Sequence, residues 1–174
     1  MKKIVVFLFL ILFSVSLFGK EKKKNQLRRF AFIVGANYGG PHRVRLRYAL
    51  TDAKSVASVL TDLGGVKSSD LWLLKQPNER KLKNSLYKLI KKLKKIKNKY
   101  DRVEFFFYYS GHSDEKGILL GRELVEYRTL KRIIRSVPAD LRISVLDSCS
   151  SGAITRLKGG KKRSPFLIDS TMKM

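Results

Sequence analysis

Val103-Glu104-Phe105-Phe106-Phe107-Tyr108-Tyr109 reads as a buried strand, and it runs directly into Ser110-Gly111-His112. A second strand, Arg142-Ile143-Ser144-Val145-Leu146, runs into Asp147-Ser148-Cys149-Ser150-Ser151-Gly152. If the two are parallel neighbours, His112 and Cys149 emerge at the same edge of the sheet. Open α/β sheets bind ligands at that edge, outside the carboxyl ends of the strands. A thiol beside an imidazole is the minimal equipment for nucleophilic acyl transfer.

Outward from this pair the pattern repeats. Phe30-Ala31-Phe32-Ile33-Val34-Gly35 is a first strand, and Ala36–Arg47 a loop rich in glycine and charge. Tyr48–Leu63 carries apolar residues at helical spacing, and Gly64-Gly65 stops it. Asp70–Leu74 is a second strand, closed by a turn at Pro77-Asn78. Arg80–Tyr100 is a second helix, with Leu82, Leu86, Leu89, Ile90, Leu93 and Ile96 on one face and lysines over the rest. It reads either as a helix packed on the sheet with a solvated basic face or as an amphipathic helix on an anionic membrane or polyanion. Its place between two strands favours the crossover helix of a βαβ unit. Gly117–Gly121 is one arm of a hairpin, and Tyr127–Val137 a third helix ended by Pro138. The alternation predicts an α/β fold, a mostly parallel sheet with helices on both faces.

The chain of 174 residues is long enough for one domain with a real core. Three segments are expected. Met1-Lys2-Lys3 and the apolar run Ile4–Phe18 form a secretory signal over residues 1–19, or an uncleaved anchor, since the run is short of the about 20 residues of a membrane span. Export to the periplasm or beyond follows from either. Residues 20–29 read as a basic linker, and 30–174 as the catalytic domain. The net charge of +24 draws anionic partners and surfaces. No glycine-rich phosphate loop and no paired Cys/His metal spacing occurs in the sequence, so neither a cofactor nor a metal is expected. Cys149 is the sole cysteine and has no internal disulfide partner. Most free cysteines are small buried hydrophobes, but a position after a strand, opening a Ser-Ser-Gly turn, places this one at a rim.

The chemistry of the two strand ends is specific. Cysteine attacks as its thiolate, and a neighbouring imidazole lowers the pKa that controls this. His112 then supplies the proton that the departing amine needs. The backbone N–H groups of Ser113 and Cys149 are the candidate donors to the negative oxygen of the transition state. Asp147, beside the nucleophile, would select a cationic substrate side chain.

Tyr109-Ser110-Gly111-His112 together with Asp147-Ser148-Cys149-Ser150-Ser151-Gly152 resembles the metacaspases and bacterial caspase-like peptidases of the caspase clan. Val34-Gly35-Ala36-Asn37-Tyr38 is similar to the opening strand motif, and Leu50-Thr51-Asp52-Ala53 to the Asn-Asp-Ala helix start, with Thr51 in the Asn place. The resemblance spans about residues 28–174. It implies a three-layer αβα sandwich of strand order 2-1-3-4, followed in the family by strands 5 and 6. It implies a Cys/His dyad of Cys149 and His112, and a pocket for arginine or lysine built from Asp52, Ser110 and Asp147. The substrate would be a protein or peptide cut after Arg or Lys. Ser113 stands where the family has glycine, and Ser150 where it has histidine. Tyr127 and Arg156 occupy the two aligned calcium-ligand positions, so no calcium dependence is expected. With strands 5 and 6 missing, strand four would be an exposed apolar edge. Two explanations stay open, a truncated product or a partner that completes the sheet. The competing functional reading is an inactive caspase-like module that binds anionic surfaces or partners.

Overall fold

The computed structural model describes residues 26–148. The apolar leader, Cys149 and the Lys/Gly-rich stretch after it lie outside the described residues.

Four parallel strands form the main sheet in the order β2-β1-β3-β6. They are β1 (Leu27–Ala36), β2 (Val66–Lys75), β3 (Arg102–Gly111) and β6 (Leu141–Asp147). A hairpin, β4 (Gly117–Leu120) and β5 (Glu123–Glu126), follows β3. The helices are α1 (Ala49–Asp62), α2 (Glu79–Ile96) and α3 (Tyr127–Arg135). In chain order the four main strands pair 2-1-3-4, as the resemblance implies.

Side-chain alternation along the strands separates two cores. Phe30, Phe32, Phe105, Phe107 and Tyr109 meet Leu82, Leu86, Leu89 and Leu93 of α2 and Leu130, Ile133 and Ile134 of α3. Phe32 and Phe107 stack across the β1–β3 boundary with ring centroids 6.1 Å apart. On the other face Ala31, Ile33 and Tyr108 meet Ala53 and Ala57 of α1. That helix lies close because Gly35 has no side chain: a Cβ there would sit 2.7 Å from the Ala49 carbonyl oxygen. The result is the expected three-layer αβα arrangement.

Helix α2 starts where its sequence says it should. Asn78 caps it, its Oδ1 accepting from the Lys81 N–H at 2.8 Å. Helix α1 has no such side chain at its own N-cap, Tyr48. Asn37, in the loop after β1, fills the role, its Oδ1 accepting from Leu50 N–H at 2.9 Å.

Two expectations change. Strand β1 begins at Leu27, inside the stretch read as linker. Arg28 and Arg29 are strand residues with carboxylate partners: Arg28 meets the buried Asp70, and Arg29 Nε lies 2.9 Å from Glu104. The helical lysines are also not all solvated. Lys92 Nζ lies 3.0 Å from Asp70 and 4.9 Å from the centre of the Trp72 ring. Lys83 pairs with Glu79, and Lys97 with Asp140.

Candidate active site

Ser110 is buried on β3 and faces Asp147 of β6 in the strand register. Tyr108, two residues earlier, points to the same side of the sheet. Its hydroxyl donates to Asp147 Oδ2 at 3.1 Å. Burial, reinforced by that bond and by the Asp147 charge, pushes the Tyr108 phenol up to about 12. The Ser110 hydroxyl offsets part of the rise, and the negative charge of Asp52 adds to it. Of the three residues that the sequence suggests for a basic-residue pocket, Ser110 and Asp147 meet beside the Tyr108 hydroxyl, and the charge of Asp52 acts on the same phenol. Asp52 stands in the first turn of α1, whose start is fixed by Asn37.

His112 follows β3 and is half-buried. Its Nε2 lies 2.8 Å from the carbonyl oxygen of Val44. A carbonyl only accepts, so Nε2 carries the hydrogen, and in the neutral ring Nδ1 holds the lone pair. The Val44 loop is pressed against the ring. A Cβ on Gly39 would lie 2.4–2.6 Å from three atoms of His112, so only glycine fits there. The loop is held from two further sides. Gln76 exchanges two 2.9 Å hydrogen bonds with the Tyr38 backbone, and Gly121 N–H donates to the Tyr38 carbonyl at 3.0 Å. Gln76 does so at φ +45°, a conformation unusual for a residue with a side chain.

The turn after His112 is fixed by buried Tyr109. Its hydroxyl lies 2.6 Å from the His112 carbonyl and 2.8 Å from that of Leu119, and burial raises its pKa. Ser113 then bridges to Ile118 in antiparallel fashion. The flanking bonds are Leu119 N–H to His112 O and Asp114 N–H to Gly117 O. In that pairing type the N–H of Ser113 itself is turned away from β4. The Ser113 hydroxyl donates to the Ser148 hydroxyl at 2.9 Å. The residue after His112 thus touches the residue before Cys149. Cys149 lies outside the described residues.

Sequence reasoning missed Tyr108, Gly39, Gln76 and the Val44 carbonyl. Tyr108 had a signal, since it stands two before Ser110 on the same strand. The Val44 contact is made by backbone, so no residue type announces it. Among the described residues no group of three or more His, Cys, Asp or Glu side chains converges to hold a metal ion.

Comparison with curated proteins returns no match. The family model described as the caspase domain matches residues 28–171, most of the chain and all of the sheet apart from its first residue. With the parallel 2-1-3-4 sheet and the His112 strand end in place, the chain belongs to the caspase domain family.

Proposed function

We propose that the protein is a cysteine endopeptidase that cuts after arginine or lysine, with Cys149 as nucleophile and His112 as proton carrier. Membership of the caspase domain family suggests cysteine peptidase activity and so protein substrates. The observation that carries the finer reading is the Ser113–Ser148 contact, which joins the neighbours of the two reactive residues. With Nε2 hydrogen-bonded to Val44, Nδ1 of His112 is the base that removes the thiol proton. The thiolate adds to the peptide carbonyl carbon. The N–H groups of Ser113 and Cys149 receive the resulting oxyanion, each donor of this kind being worth roughly 2.7–4 kcal/mol. His112 returns the proton to the amine, which leaves, and a thioester remains on Cys149. Water, deprotonated by His112, hydrolyses the thioester and restores the thiol.

Asp147 supplies a negative charge hydrogen-bonded to Tyr108, the charge of Asp52 acts on the same phenol, and Ser110 adds a hydroxyl. A guanidinium or ammonium group suits that set, and a carboxylate is repelled by it. The test is turnover of matched peptide reporters ending in Arg, Lys or Asp by the full chain. Arg and Lys reporters should be cut, the Asp reporter not, and Cys149→Ala and His112→Ala should abolish cleavage. Cleavage that persists in Cys149→Ala would remove the nucleophile assignment, and cleavage only after Asp would remove the pocket. The positive start and apolar run of residues 1–19 support export. Recovery of the protein only in the cytosolic fraction would refute it.

A further inference from the structure

A second cleft, of about 670 Å3, lies at the other end of the sheet order, between β2 and the first half of α2. Its walls carry Lys75, Arg80, Lys81 and Lys88, all exposed. None of these four takes part in an ion pair among the described residues. No described carboxylate lines the cleft. Glu79, in the same helical turn, is held by Lys83, and its N–H is capped by Glu123. The helix N-terminus is thus already satisfied, and the four side chains are what the cleft offers an anion.

The shape is that of a groove for a chain. Leu73, Leu74, Lys75 and Gln76 all line it. Successive strand residues point to opposite faces, so a cleft that meets Leu73, Leu74 and Lys75 in a row runs along the edge of the strand. Among the described residues strand β2 is outermost in the sheet. Its outer edge presents backbone donors and acceptors to an added extended segment. On the helix side Lys81, Ser85 and Lys88 line the groove at i, i+4 and i+7, one stripe about 10 Å long at 1.5 Å per residue. That is the length of about three residues of extended chain. Among the described residues no aromatic ring lines the groove to give a nucleobase a platform.

We propose that this groove is an exosite for an extended acidic segment of a protein partner, its backbone along the β2 edge and its carboxylates on Lys75, Arg80, Lys81 and Lys88. The exosite does not depend on the peptidase reading. It adjoins the His112 loop through Gln76, which lines the groove and also holds Tyr38.

The net charge of +24 attracts any polyanion, so the test compares variants of equal charge. A fluorescein-labelled peptide of about six glutamates is titrated with the full chain, and anisotropy is read at about 0.15 M salt. The groove variant carries Lys75→Gln, Arg80→Gln, Lys81→Gln and Lys88→Gln. The control carries Lys54→Gln, Lys91→Gln, Lys94→Gln and Lys95→Gln, also exposed. Circular dichroism checks that both fold. The groove variant should bind roughly tenfold more weakly than the parent, and the control within about threefold of it. Equal losses in the two variants would show diffuse attraction and overturn the exosite. Inorganic tripolyphosphate that displaces the peptide from the groove at far lower concentration than unlabelled peptide would make it a phosphate site and overturn the peptide assignment.

Discussion

Gly39 and Tyr108 show how much of the site rests on single atoms. The missing side chain of Gly39 is what lets the loop lie on the His112 ring. Gly39→Ala should displace the imidazole by a fraction of an ångström to about 1 Å, enough to cost on the order of 10²-fold in kcat. Steady-state kinetics alongside an unchanged circular dichroism spectrum would check this; full activity would show that the ring position is not critical. Tyr108 spends its hydroxyl on Asp147. Tyr108→Phe should lower stability by about 1 kcal/mol in urea titration, and should raise KM for an Arg reporter more than it lowers kcat, because Asp147 loses its restraint. Asp52 and Asp147 stood out in the sequence because they sit in motifs at a helix start and a strand end. The hydrogen bond between Tyr108 and Asp147 was not legible, because it depends on the β3–β6 register.

Helix α2 is fastened to the sheet by more than its leucine stripe. Asp70 is fully buried at the middle of β2 and receives Arg28 from β1 and Lys92 from α2. Removing it strands two cations, of which Arg28 is mostly buried. Asp70→Ala should therefore cost about 3 kcal/mol, whereas Lys92→Gln, at a partly exposed position, should cost under about 1 kcal/mol. Chemical denaturation of the two variants separates these outcomes, and equal effects would contradict the central role of Asp70. The sequence read Lys92 as one of a row of surface lysines and Asp70 as the first residue of a short strand. Periodicity locates a helix face, but it does not say which residue on the neighbouring strand lies beneath it. For the same reason β2 was placed too short. In its first half, Val66–Ser69, only Val66 is apolar, and the register shifts between Arg29 and Ala31. The second hairpin arm, Glu123–Glu126, also escaped notice, since only Val125 in it is fully buried.

For the molecule as a whole, two carboxylates tie distant segments and add to its stability above acid pH. The Arg29 hydrogen bond, aided by the Arg102 charge, holds Glu104 below its usual value. Asp140 is lowered by the Val103 N–H and by Lys97. Both groups bind protons more weakly folded than unfolded, so stability rises with pH across their titration. Their contribution is complete above the unfolded values near pH 4 and is lost as pH falls through the lower folded values. Thermal melts from pH 6 downward should show this loss, and Glu104→Gln should flatten it. The sheet order carries one more consequence. Strand β1 is central, yet its neighbour β3 lies 75 residues further along the chain. Closing so long a loop must precede any reward from the pairing, which makes the fold slow to nucleate. The loop over His112 needs Gln76, Gly121 and His112 itself before it has a shape. A chain emerging from the ribosome therefore carries the His112 loop unassembled until the sheet is nearly finished. A half-made copy, whatever chemistry the finished site performs, has no formed site with which to perform it.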